Sequence, residues 1–147
     1  MNPGVAVSDP AVFDRGAIEN VLNRYSIAYD DNDMTEMADT FADDAVLTMR
    51  IADGDLIGPF EGKEAIMKLM VDSLASQSDQ RRHVTTNLAV RREDGNSAAV
   101  SSYLTLISVE KGAARVLSTA RYDDELRREG DGAWRFTKRH IQLDLPY

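Results

Sequence analysis

From Arg81 onward the apolar residues of this chain recur every second position, whereas before it they recur every third or fourth. That change of period constrains the fold more than any other feature. Side chains alternate between two faces along a strand, but return to one face after about 3.6 residues in a helix. The shorter period runs through Arg82 to Arg92, Ser97 to Glu110, Ala114 to Arg128 and Ala133 to Leu143. Between these runs stand Asp94-Gly95-Asn96, Lys111-Gly112 and Gly130-Asp131-Gly132, connectors of the kind that join sequential antiparallel strands. Helical patterns come first and the meander follows, which predicts an α+β fold. A long twisted sheet of antiparallel or mixed strands curls, so three N-terminal helices are expected to close its open side around a cone-shaped space.

The first helical pattern runs to about Asp30, with Ile18, Val21, Leu22, Tyr25, Ala28 and Tyr29 on one face. Asp9-Pro10 reads as its start, a capping carboxylate followed by Pro at the first helical position, and Gly16 weakens the early turns. Asp31-Asn32-Asp33 breaks the helix, and Asp33 can cap a second one whose face is Met34, Met37, Ala38 and Phe41. Ala42 to Ala45 then turns into a strand from Val46 to Ile51, and Leu56 to Phe60 is a short strand placed at an edge by Pro59. Gly62 precedes a third helix carrying Ile66, Leu69, Met70 and Leu74 on one side. Residues 1–11 are expected to form a flexible leader and 12–147 a single domain.

A chain of 147 residues is long enough to bury a core of its own. Acidic residues number 25 against 17 basic ones, a net charge of -8 that argues against a nucleic-acid partner. There is no cysteine, which excludes disulfides, thiolate metal sites and a Cys nucleophile. No signal peptide and no apolar run of membrane-spanning length is visible, so a cytoplasmic protein without a membrane partner is expected. His83 and His140 lie far apart and neither sits in a pattern such as His-Glu-x-x-His, which leaves no metal site to predict.

The first helix ends in two phenols and a carboxylate, Tyr25, Tyr29 and Asp30. Polar tips at the end of an apolar stripe need partners or a cavity, so this end reads as a pocket wall. The plainer reading is packing, with each hydroxyl reaching a partner. His83 lies in a strand between Arg82 and Val84, where a satisfied or exposed imidazole is the ordinary outcome. Asp123 and Asp124 read as an outward charge pair, His140 as a surface or interface residue, and Arg81-Arg82 and Arg91-Arg92 as a solvated face.

Five motifs in order resemble one family. They are Arg24-Tyr25 with Tyr29-Asp30 and Asp33; Phe41-Ala42-Asp43-Asp44-Ala45; Glu61-Gly62-Lys63-Glu64-Ala65-Ile66; Arg82-His83 with Asn87; and Arg121 to Leu126 with Gly132-Ala133-Trp134-Arg135-Phe136. From about Val12 to Tyr147 the chain resembles the SnoaL-like and scytalone-dehydratase-like branch of the nuclear-transport-factor-two-like superfamily. The resemblance implies a cystatin-like cone with a pocket between the first helices and the curved sheet. In scytalone dehydratase and the dehydrochlorinase that acts on lindane, an Asp of the first helix and a His of the sheet form a dyad. Asp30 and His83 match those positions. Tyr29 matches a phenol that assists the dehydratase through water, and Tyr25 the phenol of the ketosteroid-isomerase oxyanion hole.

The chain also departs from these relatives. The isomerase's general-base Asp falls near Met49, which argues against that mechanism, and the dehydratase's second histidine falls near Ser108. Asp123 or Asp124 lies near an isomerase and cyclase acid.

These readings predict a cofactor-independent lyase or isomerase that dehydrates, eliminates or cyclises a small hydrophobic, cyclic or polyketide-like molecule. His83 is the expected base, Asp30 its orienting partner, and Tyr25 and Tyr29 polarise the substrate, which Met49, Leu104, Leu106, Ser108 and Asp123 would contact. The alternative is a non-catalytic binding or assembly subunit, like the small subunit of ring-hydroxylating dioxygenases, because one fold hosts many functions. The outer face of a curled sheet needs cover, so a homodimer or homotrimer is expected.

Overall fold

The computed structural model describes residues 13–147. The expected leader and the Asp9-Pro10 helix start lie outside the described residues. Helix α1 spans Arg15–Asp30, α2 Met34–Asp39 and α3 Lys63–Ala75. The strands are β1 Phe41–Ile51, β2 Ile57–Glu61, β3 Gln80–Glu93, β4 Ser97–Glu110, β5 Ala113–Arg128 and β6 Trp134–Leu143. They form one six-stranded sheet in the order β2-β1-β6-β5-β4-β3, in which only the β1–β6 pairing is parallel. The meander β3 to β6 is thus antiparallel throughout, and β2, with Pro59, is an edge strand. Among the described residues no helix is long and apolar enough to cross a membrane.

Helix α1 starts where the Asp14 carboxylate accepts a hydrogen bond from the Ala17 amide at 3.1 Å, so Gly16 lies in its first turn. The helix ends by exhausting its hydrogen bonds. Asn32 takes a left-handed conformation (φ 56°) and its amide bonds the Tyr29 carbonyl, while the Asp33 amide reaches back to Ala28. This double closure fixes Asp30 as the last helical residue, and Asn is one of the few residues that adopts such a conformation at low cost. Asp33 then caps α2 by accepting from the Glu36 amide.

Phe41 does not belong to the second helix. It opens β1 and pairs with Phe136, and Ala42 to Ala45 bulge out of the β1–β6 ladder before pairing resumes at Val46 and Lys138. The reason is tertiary: Phe41 is fully buried against Tyr25 and Phe136, and the strand hydrogen bonds to β6 outweigh a helical period only six residues long.

The core fills the space between the helices and one face of the sheet. Ala98, Val100, Leu104 and Leu106 from β4 alternate inward with Ala120, Tyr122 and Leu126 from β5. Strand β6 keeps no single alternation. Leu126 pairs with Phe136 but Glu125 pairs with Lys138, so Thr137 is an extra residue that loops out as a bulge. Both Phe136 and Arg139 therefore face inward, and Ile141 and Leu143 follow Arg139 in phase.

Candidate functional site

Strand β3 is an edge, so alternate amides along its free side lack a strand partner. Asp30 supplies one. Its Oδ2 accepts the His83 backbone amide at 2.9 Å, and its Oδ1 lies 2.6 Å from His83 Nδ1. The Gln80 side-chain amide adds a donor to the Asp30 carbonyl at 2.9 Å, and the Ser26 and Thr85 hydroxyls meet at 3.2 Å, so the end of α1 is tied to β3 along its last turns. A carboxylate at a helix C-terminus opposes the helix dipole; here the edge amide and the imidazole compensate. An ionised carboxylate can only accept, so Nδ1 is the protonated nitrogen and Nε2 of the neutral ring carries the lone pair. The two side chains are largely but not wholly enclosed, 10% and 7% exposed.

His83 lines a cavity of about 50 Å³ between α1, α3 and the sheet. Tyr25 and Tyr29 from α1 line it, and so do Met49, Leu104 and Leu106, as expected from the sequence. Ser108 and Asp123 do not. Ser108 faces inward, but its hydroxyl is taken by the Asp79 carboxylate, which also accepts Arg81 at 2.6 Å. Asp123 points to the outer face of the sheet, where Ser101 donates to it at 2.6 Å and Arg121 embraces it at 3.1 Å. Burial would raise its carboxyl, but Ser101 and Arg121 hold it below the ordinary range. His140 shares that outer face, its Nδ1 2.7 Å from the Thr48 hydroxyl.

The Tyr29 ring lies 4.7 Å from the His83 ring, and its hydroxyl accepts from the Gln77 side-chain amide at 2.5 Å. Burial, partly offset by Gln77, pushes the Tyr29 phenol up to about 12. Burial also raises Tyr25 and Tyr122, against the pull of Arg139. All three phenols are therefore protonated at neutral pH and can act only as neutral hydrogen-bonding groups there.

The sequence reading missed four participants. Tyr122 and Tyr147 line the cavity, and Gln77 holds Tyr29. The fourth is Arg139, wholly buried, whose guanidinium carbon sits 4.2 Å from the Tyr25 ring, 3.7 Å from Tyr122 and 4.5 Å from Phe136. Its counter-ion is Asp124, which faces inward, contrary to the outward pair expected; the Nε–Oδ1 distance is 3.0 Å. Burial pushes the Asp124 carboxyl up to about 7, with Arg139 opposing the shift. The alternation Ala120, Tyr122, Asp124, Leu126 carried the signal for Tyr122 and Asp124. Arg139 gave none, because the Thr137 bulge breaks the period just before it.

Proteins of known structure share this arrangement of helices and sheet. A protein from Catenulispora acidiphila, solved in complex with S-DNPA, is 27% identical with a TM-score of 0.75, the match covering 88% of this chain and 92% of that one. Aln2 from a Streptomyces species is 26% identical with a TM-score of 0.74, covering 88% and 89%. A cystatin-like protein of unknown function from Nostoc punctiforme, 24% identical with a TM-score of 0.76 over 90% and 94% of the chains, shows the same fold. No curated protein matches the chain at a significant level. The model of the SnoaL-like domain matches residues 10–140, taking in α1 with Asp30, the strand with His83 and most of β6, and the chain belongs to the SnoaL-like family.

Proposed function

We propose that the protein is a proton-transfer enzyme of the lyase or isomerase kind, acting on a small, mostly hydrophobic molecule with a hydroxyl or carbonyl group. One observation carries this reading: Asp30 grips both the ring and the backbone of His83, which leaves Nε2 as a base of fixed orientation at a cavity lined by phenols and aliphatic side chains. Nε2 takes a proton from carbon beside a carbonyl or leaving group, and Asp30 stabilises the imidazolium that forms. The electron pair released from the C–H bond becomes an enolate, or a double bond as hydroxide departs. A phenol donates a hydrogen bond to the oxygen that gains charge, and the imidazolium returns its proton to that oxygen or to carbon. Dehydration, ring closure and double-bond movement share this first step. The test is a panel of hydroxylated aromatics and polyketide-like ketones assayed with the wild type, His83→Ala and Asp30→Asn. Loss of turnover in both variants supports the dyad, and full activity in both removes it.

A second reading rests on the size of the cavity. About 50 Å³ holds one or a few waters, far less than a substrate. A non-catalytic binding or assembly role would leave ligand affinity intact in His83→Ala and give no turnover of the panel by the wild type.

A further inference from the structure

Small-molecule sites usually occupy several hundred Å³, and the space at the dyad is far below that. A larger space lies on the other side of Tyr29. It is a chamber open to solvent on one side, of about 390 Å³, between the end of α1, the C-terminal half of α3 and the first residues of β3. Among the described residues Tyr29 is the one that lines both spaces, and its side chain stands between Gln77 on the outer side and His83 on the inner. Met34, Val71, Leu74 and Ala75 give the outer chamber an apolar side, and Asn32 and Gln77 give it amides. Its charged groups are already matched: Asp30 is held by His83, and Arg81 by Asp79 at 2.6 Å. A charged ligand would find no unmatched counter-charge among these residues, whereas a neutral one would find apolar surface and hydrogen-bonding groups.

We propose that the outer chamber binds the apolar body of a small neutral hydroxyl- or carbonyl-bearing molecule, and that Tyr29 swings aside to admit its reactive end to His83. The proposal deepens the function argued above and rests on it for the role of His83. Tyr29 suits a movable partition. Its hydroxyl is held from the outer side by Gln77, which sits in the connection after α3 rather than in a regular element. Its inner side, buried with the core, meets the His83 ring edge to face rather than by flat stacking. With the ring turned outward, the two spaces become one, of a size that admits a one- or two-ring compound.

The experiment titrates the full chain with naphthol, a neutral two-ring phenol. Naphthol fluorescence reads affinity, and the His83 imidazole signals in NMR, assigned by their absence in His83→Ala, read arrival at the dyad. Saturable binding that shifts the His83 signals is expected. Val71, 48% exposed on the chamber wall, accepts a charge without disturbing the core, and Val71→Asp should weaken binding by about tenfold or more. Tyr29→Ala should enlarge the His83 response, and Gln77→Ala should move it in the same direction by a smaller amount. Absence of saturable binding, or wild-type affinity in Val71→Asp, overturns the site. Binding that leaves the His83 signals unmoved in both the wild type and Tyr29→Ala overturns the partition. A failed dyad would appear instead as full turnover in His83→Ala with naphthol binding intact.

Discussion

Two carboxylates face nitrogen bases inside this sheet, and they differ in what they leave free. Asp30 meets His83 with two aligned hydrogen bonds at 2.6 and 2.9 Å beside a cavity, and the imidazole keeps an unspent nitrogen. Asp124 meets Arg139 deeper in, with no exposure on either side chain, through an ion pair at 3.0 Å and one hydrogen bond at 3.4 Å; Asp124 Oδ1, Arg139 Nε and Nη1 and Ser102 Oγ have no hydrogen-bond partner among the described residues. An imidazole gains and loses its proton near neutrality, whereas a guanidinium does not. The first pair leaves a nitrogen that can move a proton, whereas in the second the guanidinium keeps its charge fixed beneath Tyr25 and Tyr122.

That contrast can be broken most forcefully at the deeper pair. Arg139→Met leaves Asp124 buried without its counter-ion and should lower unfolding free energy by about 3–5 kcal/mol in chemical denaturation. Adding Asp124→Leu to it should restore most of the loss, because an apolar pair removes both desolvation penalties. A cost below about 1 kcal/mol for the single change would show that the pair does not anchor the core.

His83→Ala should show the reverse split. Turnover of a responsive substrate should fall about a hundred- to ten-thousandfold while denaturation midpoints stay close to wild type. Tyr25→Phe should cost less, about ten- to a hundredfold in kcat, since other phenols remain at the cavity.

The smallest effect is alkaline. The Tyr29 phenol titrates at about 12 in the fold, above its ordinary value near 10. Its protonated form is retained longer in the native state. The stability it contributes is therefore complete below about 10 and is lost as pH rises toward about 12. Denaturation midpoints taken across that window should fall less steeply in Tyr29→Phe than in the wild type.

The dyad was legible in the sequence, and the charge beneath it was not. Asp30 ends a helix whose stripe turns polar, but His83 read locally as an ordinary strand imidazole, and only the family resemblance paired the two residues that the structure brings into contact. The starts of α2 and α3, the hairpins and the Pro59 edge followed from capping and turn chemistry, which are local, whereas α1 starts at an Asp14 cap that the Asp9-Pro10 pattern did not indicate. Phe41 was misread because six residues of helical spacing look the same whether or not a strand waits to pair with them. Asp123 and Asp124 stayed ambiguous because alternation says that one faces in without saying which. Ser108 faces the interior as alternation allows, yet Asp79, from the connection before β3, claims its hydroxyl, a contact no strand period could reveal.

Thr137 decides more than its own place. Because that one residue loops out, Arg139, Ile141 and Leu143 look toward the helices. Threaded straight past Phe136, the same segment would aim Lys138, His140 and Gln142 there, exchanging a lining of one cation and two aliphatics for one that is polar throughout. A shell made this way can be re-lined from a single point, by altering how many residues lie on the strand rather than which ones they are.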